Sequence, residues 1–260
     1  MKVLILPDTA TAVSRVADIL AQTLDAGRGC TMGLATGGTM VPLYAEIVAR
    51  HRAGQLSLAQ VTTFNLDEYV GLAPDHPGSY HRYMAEVLFD HTDIRPGHAH
   101  LPRGDAPDPR AEAMAYEARI AREGGIDLQV LGLGQNGHIA FNEPTSSLGS
   151  RTRIKTLTDD TRRANRPNFD REEDMPRYAI TMGIATILEA RAIVLLATGA
   201  SKADAVAAMV EGPVSALCPA SALQLHPKAT IVLDAKAASA LRLTNYYHHV
   251  HPDGQESDYS

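Results

Sequence analysis

Short runs dominated by apolar residues, at positions 3–6, 30–35, 61–65, 128–133, 192–197 and 230–234, alternate along this chain with longer amphipathic stretches. Near-continuous apolar runs of four to six residues suit strands buried on both faces, as in a parallel sheet; a sheet with one face in water would show strict alternation instead. Helical spacing fills the gaps, at about 12–24, 41–50, 79–88, 109–123 and 201–210. This order predicts an α/β fold: a single-domain, doubly wound, mostly parallel sheet with helices on both faces, Rossmann-like in plan. The chain has 260 residues, 45% of them hydrophobic, enough for one core of this kind. The domain is expected to occupy residues 1–247, with 96–109 its most loop-like interior stretch. Residues 248–260 are polar and turn-rich, and a loosely ordered tail is expected there.

Charge and cysteine usage exclude several classes of function. Lys and Arg number 24 against 30 Asp and Glu, a net charge of -6 with no basic block, so neither nucleic acid nor an anionic membrane is an expected partner. Cys30 and Cys218 lie far apart, which suits a reducing compartment and argues against a disulfide framework or a paired-cysteine zinc site. The apolar start at residues 3–6 is too short for a signal peptide, and no stretch approaches a membrane span, so a cytoplasmic protein is expected. Among the 11 histidines, His98 with His100 and His248-His249 with His251 lack the spacing of a helical metal site, and no catalytic metal is expected.

In a doubly wound fold the chemistry sits in loops at the carboxyl ends of the strands, and three of those loops are unusual. Thr36-Gly37-Gly38-Thr39 runs from a strand into a helix, where converging N–H groups and the helix dipole favour an anion; an ordinary strand-to-helix turn would look the same. It is no Walker A loop, because no Gly-Lys-Ser/Thr follows. Asp67, just past the strand at 61–65, is either the N-cap of a following helix or a general base on a rigid support. The third loop, "GLGQNGHIAFNEP" (132–144), spells G-x-G-x-x-G after a strand, yet the turn-rich stretch 141–149 with Pro144 leaves no room for the helix a dinucleotide site needs. Its glycines shape a loop that presents His138 and Glu143, with Asn136 beside them, a set suited to proton transfer near neutral pH.

At these residues the sequence resembles the glucosamine-6-phosphate deaminase (glucosamine-6-phosphate isomerase) family, over nearly the whole chain from about Val3 to about Tyr247. The likeness is carried by "LATGGT" (34–39), "TFNLDEYVGL" (63–72), "GLGQNGHIAFNEP" (132–144), "SSLGSRTRIKTLT" (146–158) and "LQLHPKATIV" (223–232). It implies a cofactor-free, Rossmann-like enzyme that converts glucosamine 6-phosphate and water to fructose 6-phosphate and ammonia. By resemblance, Asp67 moves the C2 proton to C1 of the open-chain sugar, and His138, partnered by Glu143, opens the pyranose ring. Gly37, Gly38 and Thr39 would cradle the phosphate, with Lys202 of "TGASKAD" (198–204) neutralising its charge. The family is often hexameric and activated by N-acetylglucosamine 6-phosphate; Ser146, Ser147, Arg153 and Lys155 match the positions that hold this effector's phosphate, and Tyr247 a C-terminal position in the effector response.

The chain departs from the family pattern in three places. Asn136 stands where many relatives have Asp, so one carboxylate of the histidine cluster is missing. The stretch 162–176 is one residue short and puts Pro167 where relatives have a phosphate-binding Arg, leaving Arg166 as its replacement. After Tyr247 the likeness ends. Alternatives are a deaminase of galactosamine 6-phosphate or another amino sugar phosphate, a 6-phosphogluconolactonase, which needs no base at C2, and a sugar phosphate sensor without activity.

Overall fold

A computed structural model describes residues 1–24, 29–158, 161–162, 169 and 175–255. Seven strands form the central sheet: β1 (Lys2–Leu6), β2 (Cys30–Leu34), β3 (Val61–Asn65), β5 (Ala99–His100), β6 (Leu128–Leu131), β9 (Ala192–Ala197) and β10 (Ala229–Asp234). Their spatial order is β1-β10-β9-β6-β2-β3-β5, and every pairing is parallel. The doubly wound parallel sheet expected from the apolar runs is therefore present. Five of its strands are buried along nearly their whole length, because helices cover both faces and leave no strand a wet side. The chain leaves β2 toward β3 and β5 on one side, then returns through β6 to β9 and β10 on the other. The crevice of the fold thus opens at the carboxyl ends of β2 and β6.

A second sheet has no counterpart in the sequence reading. β4 (Asp67–Tyr69), β7 (Arg153–Thr156) and β8 (Tyr178–Thr181) pair antiparallel in the order β4-β8-β7. Strands of three or four residues carry too little alternation to be read. Here they exist because the backbone beyond β3 needs partners, which β8 supplies by pairing Asp67 with Thr181.

Around the sheet lie α1 (Thr9–Leu24), α2 (Met40–Arg52), α3 (Tyr80–Val87), α4 (Pro109–Arg122), α5 (Ile184–Leu188), α6 (Ala203–Val210) and α7 (Thr244–Val250). Their starts are chemically marked: Ser79 accepts from Arg82 N to cap α3, and Asp108 caps α4 ahead of Pro109.

The loosely ordered tail expected from residue 248 is corrected over 248–255. α7 runs on to Val250, His251 and Gly254 are buried, and a side chain at Gly254 would stand 2.5 Å from Leu6 Cδ1. β1 is an edge strand whose apolar Leu6 must be covered, and this short polar segment covers it. No helix among the described residues is long and apolar enough to cross a membrane.

Candidate active site

The crevice is a cleft of about 750 Å³, lined by Thr36–Thr39, Asp67, Tyr80, the 132–138 loop, Thr161 and Lys202. Four neighbouring strands, β9, β6, β2 and β3, deliver these groups from their carboxyl ends, so the parallel sheet alone brings together residues up to 166 positions apart (36 to 202).

One wall is a glycine turn that leads into a helix N-terminus. Gly37 has φ +107°, a backbone only glycine adopts without strain, and Met40 N closes the turn onto Gly37 O at 2.9 Å. Space at Gly37 and Gly38 is open, and Thr39 leads into α2 without a side-chain cap, so the positive end of that helix dipole faces the cleft even though Met40 N is taken up by Gly37 O. Tyr83 of α3 braces the turn by donating to Gly37 O at 3.0 Å. Lys202 reaches the cleft from the turn after β9; burial lowers its pKa, and it has no ion pair among the described residues. A desolvated ammonium in the same cleft is stabilised by an incoming phosphate.

Asp67 faces the same cleft, 4% exposed and at the first position of β4. It is no helix cap, since α3 begins only at Tyr80. Burial, reinforced by the charge of Glu68, raises its pKa to about 8. A carboxylate held dry with raised proton affinity is what abstraction from a carbon acid near neutral pH requires.

The third wall shows what the G-x-G-x-x-G glycines do. A side chain at Gly134 would stand 2.3 Å from the His138 ring, and Gly137 has φ +81° with Cys218 packed beneath it. The spacing lets the loop fold onto itself and shelve the imidazole. Gly134→Ala is therefore expected to push His138 off its position and lower kcat by about 10²-fold, with inorganic phosphate still binding. Steady-state kinetics with phosphate as competitor checks this, and a kcat within threefold of wild type would refute it.

His138 Nδ1 lies 2.7 Å from Asn136 Oδ1, and Asn136 Nδ2 donates to Glu143 Oε2 at 2.7 Å. Because the amide oxygen only accepts, Nδ1 carries the proton, which leaves Nε2 of the neutral ring as the acceptor. Glu143 stands behind this pair, 4% exposed, 3.5 Å from Nδ1. Burial would raise its pKa, but His138, Thr161 and Asn136 outweigh this and hold it at about 2. Glu143 is not the nearest partner of the histidine, since Asn136 intervenes. In place of the carboxylate many relatives carry, Asn136 accepts from the imidazole and donates to Glu143 at once, which an ionised Asp cannot do. Ala140, with φ +51°, and Thr145, with φ +76°, show backbone strain in the same loop.

Two of the expected effector residues, Ser146 and Arg153, bond to the 132–144 loop. Arg153 and Lys155 alternate along β7 and so share a face, and Arg153 Nη1 donates to Asn142 Oδ1 at 2.6 Å. Ser146 is buried and its N–H bonds Glu143 O at 3.0 Å, whereas Ser147 is exposed. Burial lowers the pKa of Arg153, which has no carboxylate partner among the described residues. Tyr247 goes elsewhere, its hydroxyl donating to Glu211 Oε1 at 3.3 Å. Arg166 and Pro167 lie outside the described residues. Sequence reasoning missed Tyr80 and Tyr83 on α3 and Thr161, which donates to Glu143 Oε1. The helical spacing at 79–88 marked α3, but nothing in the sequence aims its tyrosines at the cleft.

Fold and site together define a Rossmann-like α/β enzyme in which a glycine turn at a helix N-terminus, a buried carboxylate and a histidine line one cleft. A family model for glucosamine-6-phosphate isomerases and 6-phosphogluconolactonases matches residues 8–232, and the chain belongs to this family. Glucosamine-6-phosphate deaminase of Hahella chejuensis is 56% identical over 244 residues, 94% of this chain and 93% of its own length. That of Rhodopirellula baltica is 55% identical over 237 residues, 91% and 94% of the two chains. The solved structure of a monomeric glucosamine-6-phosphate deaminase has a TM-score of 0.90 at 43% identity, covering 92% of this chain and 100% of that one. A 6-phosphogluconolactonase from Trypanosoma brucei, with a TM-score of 0.74 at 21% identity over 92% of this chain and 98% of its own, shares the fold.

Proposed function

We propose that this protein is a glucosamine-6-phosphate deaminase, opening the pyranose ring, isomerising the aldose and releasing ammonia to leave fructose 6-phosphate. The observation that carries this reading is the shared cleft: Asp67, with its raised proton affinity, and His138 face the same space as the Gly37–Thr39 turn and Lys202. The phosphate sits on the turn and on Lys202. Nε2 of His138 takes the proton of the anomeric hydroxyl and returns it to the ring oxygen as the C1–O5 bond breaks, with Asn136 and then Glu143 steadying the imidazole behind it. Asp67 removes the proton at C2 and returns it to C1, converting the amino aldose to a ketose imine. Water adds at C2 and ammonia leaves, so the reaction balances with one water consumed and no redox cofactor. Purified protein should release ammonia from glucosamine 6-phosphate; release only from galactosamine 6-phosphate, or from neither, defeats the proposal.

Lys202→Met is expected to raise KM about 10–100-fold, the worth of one charged hydrogen bond, with a smaller change in kcat. A kcat loss at constant KM would instead move Lys202 to the reacting centre.

We further propose an anion site for N-acetylglucosamine 6-phosphate on Ser146, Ser147, Arg153 and Lys155. Supporting it, Arg153 is a desolvated cation bonded to Asn142, inside the loop that carries His138 and Glu143. The effector should raise substrate affinity, and substrate should raise effector affinity by the same factor. Activation that survives Arg153→Ala removes the site. The chain is read as a homo-oligomer on its family likeness, a hexamer being the expected size; sedentation of a single species at the monomer mass would overturn this.

A further inference from the structure

We propose that Glu68 is the positioning residue of proton transfer at C2, locking the strand that carries Asp67 to the start of α3 and keeping a negative charge beside that base. The inference rests on the reading of Asp67 as the base. Asp67 and Glu68 are consecutive in β4, so their side chains leave on opposite faces: one enters the cleft, the other turns away from substrate. Glu68 is fully buried. Its Oε1 accepts from Tyr69 N at 2.8 Å and Tyr80 N at 3.0 Å, and its Oε2 from His81 N at 3.0 Å and His81 Nδ1 at 2.8 Å. Two donors on each oxygen is the pattern of an ionised carboxylate.

Capping alone does not explain this group. Ser79 already caps α3 through Arg82 N. Burying a second carboxylate one residue from Asp67 opposes folding, and a neutral side chain would have avoided that penalty. What the charge adds is felt at Asp67, where it favours uptake of a proton. The clamp also reaches the anion seat. Glu68 holds the first turn of α3; Tyr80 of that turn lines the cleft, and Tyr83 one turn on braces Gly37 O. Base and phosphate seat are thereby fixed to one short helix. The other titratable groups around Asp67 are the hydroxyls of Tyr69 on its own strand, Tyr80 on α3 and Tyr116 on α4, with His138 and Lys202 across the cleft. Against Glu68 itself stands His81.

The test follows kcat/KM against pH for wild type, Glu68→Gln and His81→Ala, with thermal melts to verify folding. Glu68→Gln should move the rising, base-linked limb to lower pH by about one unit and lower the plateau several-fold, because a less basic carboxylate is a weaker catalyst. His81→Ala strips a donor from Glu68, leaves its charge less compensated, and should move the limb the opposite way. A merely structural role would lower activity at every pH and leave the limb in place. If Glu68→Gln does not fold, the direction of the His81→Ala shift decides. A limb at its wild-type pH in the folded variants overturns the proposal. Asp67→Asn separates the two readings: if it still exchanges the C2 proton, the base assignment fails, and if it does not while the limb stays put, only the role of Glu68 fails.

Discussion

Asp67→Asn is expected to give a folded, phosphate-binding protein in which turnover and exchange of the C2 proton with solvent fall together, by about 10²–10⁴-fold or more. An amide cannot accept the proton, and among the described residues the cleft offers no second carboxylate, since Glu143 stands behind Asn136. The same variant should be more stable than wild type, with a definite pH signature. The pKa of Asp67 in the folded protein, about 8, lies above its value in the unfolded chain, near that of a free side chain. Below pH ~4 both states hold the proton and burial of Asp67 carries no ionisation penalty. As pH rises toward 8 the unfolded chain loses the proton while the folded one keeps it, so wild-type stability falls by an amount on the order of a few kcal/mol. The Asn variant escapes this loss, and its advantage in Tm should widen between pH 4 and 8. In wild type, kcat/KM should climb with pH toward 8 as the base ionises. Proton exchange at the wild-type rate in the variant would remove Asp67 from its role; a pH-independent Tm difference would contradict its raised proton affinity.

His138→Gln should lower turnover of the cyclic substrate by about 10²–10⁴-fold, the usual worth of a positioned acid or base. This loss has a different character. In the proposed mechanism the imidazole acts on the hydroxyl at C1 and not on the phosphate or on C2, so an acyclic amino sugar phosphate, which needs no ring opening, should bind the variant within a few-fold of wild type. Titration of that ligand alongside the kinetics tests both halves. Equal losses in acyclic binding and in turnover would make His138 a general binding residue.

The central sheet was legible because a strand buried on both faces must be apolar at consecutive positions, and such runs stand out at 30–35, 128–133 and 192–197. The loops were legible because their backbone demands are local: the left-handed turn at Gly37, the close approach of His138 to Gly134, and the start of α2 all follow from adjacent residues. The three-stranded sheet was not, since strands of three or four residues hold too little periodic signal and form only because β8 returns to pair with Asp67. Nor were the roles of Glu68, Tyr80, Tyr83 and Thr161, which depend on which helix or loop packs against which wall.

Asn136 shows the boundary between the two kinds of information. By itself the sequence determined the fold class and marked the glycine turn at 37–38, the candidate base and the candidate histidine, because each rests on a short pattern with its own physical requirement. At position 136 it showed an amide in place of an acid and no more. Tertiary structure alone placed that amide between His138 and Glu143, at 2.7 Å from each, where a group that accepts on one side and donates on the other is needed. Hydrogen-bond direction depends on where the partners stand in space, and no local pattern of residues encodes that.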